Sequence, residues 1–235
     1  MSVTNPILCA IDTAELARAQ ALVAGVRDVV GGIKLGLEFF TANGPAGVRE
    51  VVDPETPLFL DLKLHDIPNT VARAVRSVAA LEPLLMTLHT AGGPAMMEAA
   101  RNAADLVASE GKRRVKLLGV TVLTSLDDGD LSAIGQQGPV GEQVRRLALL
   151  ARDSGLDGVV CAPLEVAALR EVCGPDFLLV VPGIRPAGAA SGDQKRVMGP
   201  RAAIQAGADY LVVGRPITEA AHPAAAAQAI LNELR

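Results

Sequence analysis

LFLDLKLHDIPNT, residues 58–70, changes its period part-way along. Leu58, Leu60, Leu62 and Leu64 fall on one face at a spacing of two, as in a strand, while Phe59, Asp61, Lys63 and His65 share the other. Asp66 lies just beyond, and Pro68 precedes a stretch of helical period. A strand that buries leucines on one side and aims acids and a base from the other, then turns into a helix, is the unit from which the fold can be read.

That unit recurs from end to end. Strand-like runs fall at 7–11, 32–36, 58–63, 85–89, 117–123, 158–161, 178–181 and 210–213. Alanine-rich helical stretches follow them near 14–29, 44–52, 69–81, 94–109, 140–154, 163–172, 200–206 and 216–234. Eight β-then-α units with nearly continuous apolar strands predict an α/β chain whose parallel sheet closes as a (β/α)8 TIM barrel, a single domain over residues 1–235. An open doubly wound sheet would want a glycine-rich turn after the first strand, and ILCAIDTAELA (residues 7–17) has none. The Gly/Ala/Ser-rich loop PAGAASG, residues 186–192, is expected to be mobile.

Composition narrows the partners. The 235 residues are 50% hydrophobic with a formal charge of −4, no tryptophan and one tyrosine, which supplies neither a basic field nor a stacking platform for nucleic acid. No run of roughly 18 apolar residues appears and MSVTNPILCAID lacks the pattern of a signal peptide, so a soluble cytoplasmic protein with no membrane partner is expected. Cys9, Cys161 and Cys173 have no C-x-x-C spacing and read as reduced packing residues, with no metal site.

In a parallel barrel, chemistry gathers at the C-terminal strand ends. Asp12 closes the first strand, Lys34 sits late in the second, and Asp61 and Lys63 end the third, so three neighbouring strands deliver alternating charge to one rim. Residues two apart on a strand are about 6–7 Å apart and point the same way, so Asp61 and Lys63 can interact. An inert salt-bridge plug is the plain alternative, but apolar residues would serve stability as well. His89 at the end of the fourth strand reads as a structural hydrogen-bonding residue, and Thr124 and Ser125 offer hydroxyls after the fifth. The seventh and eighth strands carry VVPGIRP and LVVGRPIT. Barrels often bind phosphate in the loops there; Gly183 and Gly214 allow close backbone approach, Arg185 and Arg215 match phosphate oxygens, and Gln194 could close over the anion. A phosphorylated small molecule held across the barrel mouth, with proton transfer at carbon by a lysine ammonium, is the chemistry that needs least beyond these residues.

DLKLHDIPNT, VTVLTS, GLDGVVC, PGIRP, GDQKR and VVGRPIT, in that order along almost the whole chain, resemble the bacterial-type orotidine 5'-phosphate decarboxylase family. The resemblance implies a (β/α)8 barrel acting as a homodimer without metal or organic cofactor, and the decarboxylation of orotidine 5'-phosphate to UMP, the last step of de novo pyrimidine nucleotide synthesis. It implies that Lys63 protonates C6 of the pyrimidine while Asp61 and Asp66 hold it and crowd the substrate carboxylate. Asp66 and Thr70 would come from the partner subunit, so that each active site is shared. Asp12 and Lys34 would contact ribose hydroxyls, Thr124 the pyrimidine, and Arg185, Gln194, Gly214 and Arg215 the phosphate. Thr90, Leu35 and Gly199 depart from the residues common in the family and bear only on local packing. Two alternatives stand beside this one: a Mg²⁺-dependent sugar-phosphate decarboxylase or synthase sharing D-x-K-x-x-D, and a catalytically silent nucleotide-binding barrel. The H-D-I-P-N-T continuation argues against the first, and the intact Lys63 against the second.

Overall fold

Eight parallel strands close into a barrel in the computed structural model, which describes residues 5–186 and 198–234. They are β1 (Ile7–Ile11), β2 (Gly32–Gly36), β3 (Leu58–Leu64), β4 (Leu85–His89), β5 (Lys116–Val120), β6 (Gly158–Val160), β7 (Leu178–Val181) and β8 (Tyr210–Val213). Each pairs with the next, and Ile7 opposite Leu211 brings β8 back to β1. Outside lie α1 (Leu16–Val26), α2 (Leu37–Val51), α3 (Pro68–Val78), α4 (Pro94–Ser109), α5 (Asp128–Ala133), α6 (Val140–Asp153), α7 (Val166–Cys173), α8 (Pro200–Ala206), α9 (Arg215–Thr218) and α10 (Pro223–Glu233). Prolines open α3, α4, α8 and α10, where a missing N–H costs no helical hydrogen bond. Among the described residues no helix is long and apolar enough to cross a membrane.

Strand alternation divides the core in two. Ile7, Cys9, Ile33, Leu35, Leu58, Leu60, Met86, Leu88, Leu179 and Leu211 belong to the larger cluster between sheet and helices. Leu8, Ala10, Phe59, Leu85, Leu118, Val180, Tyr210 and Val212 form the smaller cluster, and these residues have the opposite parity on their strands. Burying each large apolar side chain contributes about 1.5–3 kcal/mol. On that inner parity also lie Lys34, Asp61 and Thr87, which carry the polar groups up toward the C-terminal rim.

The N-terminal floor is clasped by two matching devices. Asp157, just before β6, accepts from the Leu117 N–H at 2.7 Å and from Arg114 at 2.7 Å. Asp209, just before β8, accepts from the Leu179 N–H at 2.8 Å and from Arg170 at 2.6 Å. Each aspartate therefore ties its strand to the preceding one and to an arginine.

Several boundaries differ from expectation for identifiable reasons. α2 begins at Leu37, well before residue 44, because the helix is broken at Gly44 (φ 61°) and restarts at Pro45. The stretch 216–234 splits into α9 and α10, the second starting at its own proline. β5 stops at Val120, three residues early, and Val122, Leu123 and Thr124 beyond it line the mouth. α5 arises from an Asp127/Asp130 capping box: Asp127 accepts from the Asp130 N–H at 3.1 Å and Asp130 accepts from the Asp127 N–H at 3.0 Å. Thr90 is buried and donates to the Val120 carbonyl at 2.7 Å, while its methyl group occupies the space a side chain at Gly119 would need. The loop 186–192, apart from Pro186, lies outside the described residues, as does Gln194.

Candidate active site

At the C-terminal rim four charges form one chain. The Lys34 ammonium lies 3.0 Å from Asp12 and 3.7 Å from Asp61, and the Lys63 ammonium donates to both Asp61 oxygens at 2.8 Å. Lys34 is 7% exposed, so its cation is held inside the barrel by carboxylates on both sides. A side-chain carbon at Gly36 would approach the Lys34 Nζ to 3.0 Å and Asp12 to 3.4 Å, which accounts for glycine at the end of β2. Burial pushes the Asp61 carboxyl up, but the Lys34 and Lys63 charges and hydrogen bonds from Lys63 and Thr87 outweigh it and hold the group below the ordinary carboxylate range. Asp61 is accordingly ionised at neutral pH.

The third strand does not run straight to its end. Leu60 pairs with Met86 but Leu64 pairs with Leu88, so the β3–β4 ladder slips between them. Lys63 sits in this irregularity with φ 49°, a left-handed backbone that costs a non-glycine residue on the order of 1–3 kcal/mol. Side-chain alternation survives the slip: Leu62 and Leu64 pack toward the outer cluster, while Lys63 joins Asp61 on the cavity wall.

The network faces a cavity of about 520 Å³. Asp12, Lys34, Asp61 and Lys63 lie along its wall with Thr124, Gly183, Arg185, Gly214 and Arg215, and Ala10, Phe59, Val120, Val160 and Val212 form the apolar parts. Gly183 has φ 78°, a conformation that favours glycine and lets the chain turn directly after β7. Arg185 donates to the Ile184 carbonyl at 2.9 Å, and its own N–H bonds to the Met198 carbonyl at 3.0 Å, fixing the base of the loop. One cavity therefore joins an anion-matching pair of arginines to a lysine–carboxylate array, an arrangement suited to a phosphorylated ligand whose far end undergoes proton chemistry.

Residues 5–230 match the family described as Orotidine 5'-phosphate decarboxylase / HUMPS. The chain belongs to the orotidine 5'-phosphate decarboxylase family. It is 56% identical over 231 residues to orotidine 5'-phosphate decarboxylase of Paramagnetospirillum magneticum, covering 98% of both chains. Against the enzyme of that name from Rhodospirillum rubrum it is 56% identical over 232 residues, covering 98% of this chain and 94% of the relative. The crystal structure of orotidine 5'-phosphate decarboxylase from Lactobacillus acidophilus superposes with a TM-score of 0.87 at 37% identity, covering 98% of this chain and 99% of that one.

Seen against that decarboxylase family, most of the anticipated residues meet in the cavity: Asp12, Lys34, Asp61, Lys63, Thr124, Arg185, Gly214 and Arg215 all line it. Asp66 and Thr70 do not. Both are exposed, and Asp66 spends one oxygen on the Ile67 N–H at 2.7 Å. His89 stacks obliquely on His65, ring centroids 5.4 Å apart; burial, then His65 and Lys63, push its pKa down. Cys161 is a buried thiol as anticipated but also lines the cavity, and Glu219, one helical turn past Arg215, lines it unanticipated. Thr87 also belongs to this network. It is fully buried and bonds to both Asp61 and Lys63, yet an inward threonine among leucines carries no signal of its own in the sequence.

Proposed function

We propose that this chain is a carboxy-lyase that converts orotidine 5'-phosphate to UMP and carbon dioxide, the last step of de novo pyrimidine nucleotide synthesis. The substrate phosphate binds at Arg185 and Arg215 with the backbone at Gly214, and Gln194, outside the described residues, joins them. Asp12 and Lys34 hold the ribose hydroxyls, Thr124 meets the pyrimidine edge, and C6 with its carboxylate lies at Lys63. The carbon–carbon bond breaks, its electron pair stays on C6, and a Lys63 N–H delivers the proton that replaces carbon dioxide; solvent then restores the ammonium. Asp61 holds the Lys63 side chain aimed through both of its oxygens, and its negative charge beside the substrate carboxylate favours departure. The larger share of the rate comes from fixed charge awaiting the carbanion, because those dipoles need no reorganisation as the charge develops.

The observation that carries the reading is the Lys63 ammonium 2.8 Å from both oxygens of Asp61, in the same cavity as the two arginines. The cavity's 520 Å³ lies within the roughly 300–1,000 Å³ of small-molecule sites. Lys63→Ala tests it. Turnover of orotidine 5'-phosphate should fall by at least about 10⁴-fold while UMP affinity stays within tenfold; retained turnover would refute the proton-donor role.

The active unit in this proposal is a homodimer with shared sites. Residues 65–70 are exposed on the rim, and Ile67 is 68% exposed, an apolar side chain set between the two residues that miss their own cavity. A second copy covering Ile67 would receive Asp66 and Thr70 at its own Lys63. Mixing inactive Lys63→Ala with inactive Asp66→Ala protein should restore about a quarter of wild-type turnover, since random pairing makes half the dimers mixed and each mixed dimer holds one intact site. No recovery in a dimer that demonstrably exchanges subunits would exclude sharing.

A further inference from the structure

We infer that Thr87 is a positioning residue of this site: its one buried hydroxyl sets both the backbone of Lys63 and the carboxylate of Asp61. The inference rests on the proposed reaction and concerns what aims its proton donor. Because β3 pairs Leu60 with Met86 and Leu64 with Leu88, residues 61–63 stand opposite Thr87 alone. The interrupted ladder hands the Lys63 N–H to a side chain, the Thr87 Oγ1, at 2.9 Å. The same oxygen lies 3.0 Å from Asp61 Oδ1.

The direction of both hydrogen bonds follows from chemistry. The Lys63 N–H can only donate, and an ionised Asp61 can only accept. Thr87 therefore accepts with a lone pair and donates with its proton, a combination that a valine cannot supply. Asp61 Oδ1 then receives Thr87 and the Lys63 ammonium together, while Oδ2 receives Lys63 and faces Lys34 at 3.7 Å. Without the hydroxyl, a shielded N–H loses its acceptor, the left-handed Lys63 backbone loses its latch, and the carboxylate can turn away from the ammonium. Thr87 does not line the cavity, so its effect must pass through these two residues.

Thr87→Val keeps the branched shape and removes only the hydroxyl. With orotidine 5'-phosphate as substrate, kcat should fall about 10- to 100-fold while KM and calorimetric UMP affinity change less than threefold, because the donor is misaligned and the ligand contacts remain. Thr87→Ser should keep kcat within about threefold of wild type, and Thr87→Ala should lose as much as Thr87→Val. This pair decides the matter where Thr87→Val is too unstable to assay. Equal kcat in Thr87→Ser and Thr87→Ala, undiminished kcat in Thr87→Val, or UMP affinity falling in step with kcat each overturns the inference. A wild-type protein that leaves orotidine 5'-phosphate untouched would overturn the proposed reaction and this inference together, whereas a fast Thr87→Val variant of an active enzyme would overturn this inference alone.

Discussion

Both ends of this barrel carry rows of opposite charges, and the two rows are built to different ends. At the floor, Arg170 directs its guanidinium to the Gly174, Phe177 and Gly207 carbonyls and to Asp209, leaving none of its N–H donors for a ligand. Asp209 and Asp157 in turn accept strand N–H groups at 2.8 and 2.7 Å. At the rim, Lys34 and Lys63 are met by the carboxylates of Asp12 and Asp61 and face a cavity, and Lys63 lies on a strand whose ladder slips, its own backbone left-handed. Charge spent on backbone holds strands in register. Charge held against other charge beside a cavity, at a cost in backbone strain, is available to a substrate.

Substitutions at the two ends should separate these roles. The largest effect is expected for Asp61→Asn: kcat falls by about 10³-fold because Lys63 and Lys34 lose their shared counter-ion. Unfolding free energy in urea falls by about 2–3 kcal/mol, less than this kinetic loss, because the buried Lys34 loses one of its two carboxylates and keeps only Asp12. A stability loss larger than the kinetic one would make the rim a structural plug after all. Arg170→Ala should invert the pattern, destabilising by about 2–3 kcal/mol in urea titration with kcat of the folded fraction within twofold of wild type. Arg215→Ala, in the same cavity as the lysines, should weaken UMP roughly 10- to 100-fold and leave uridine binding unchanged, as measured by calorimetry. An equal loss for both ligands would remove Arg215 from the phosphate. The smallest effect belongs to Arg76, paired at 3.3 Å with Glu110 between half-exposed side chains: Arg76→Ala should cost less than about 0.5 kcal/mol and no activity.

Much of this architecture is legible in the sequence because burial repeats. Each strand hides one face behind helices, so its apolar run shows through, and prolines mark helix starts such as Pro94 and Pro200. The rim charges are legible because a parallel strand that ends in Asp or Lys must present it at the barrel mouth, as with Asp12 and Lys34. What escapes is geometry set by partners distant in the chain. The slip at 61–63 depends on which residues of β4 stand opposite, and Thr87 acquires its place only through that slip. The aspartates of the floor, Asp157 and Asp209, look like ordinary turn residues until the neighbouring strand N–H is in view. The kink at Gly44 hides the first half of α2, because LEFFTAN is too short to establish a helical period by itself.

The most direct measurement is the ultraviolet change on mixing the purified chain with orotidine 5'-phosphate in the presence of EDTA. Complete conversion to UMP at a rate proportional to protein concentration and indifferent to the chelator is the predicted result. An unchanged spectrum, or conversion that requires added Mg²⁺, would contradict the claim that Lys63 and its carboxylate neighbours carry this reaction with the chain's own side chains.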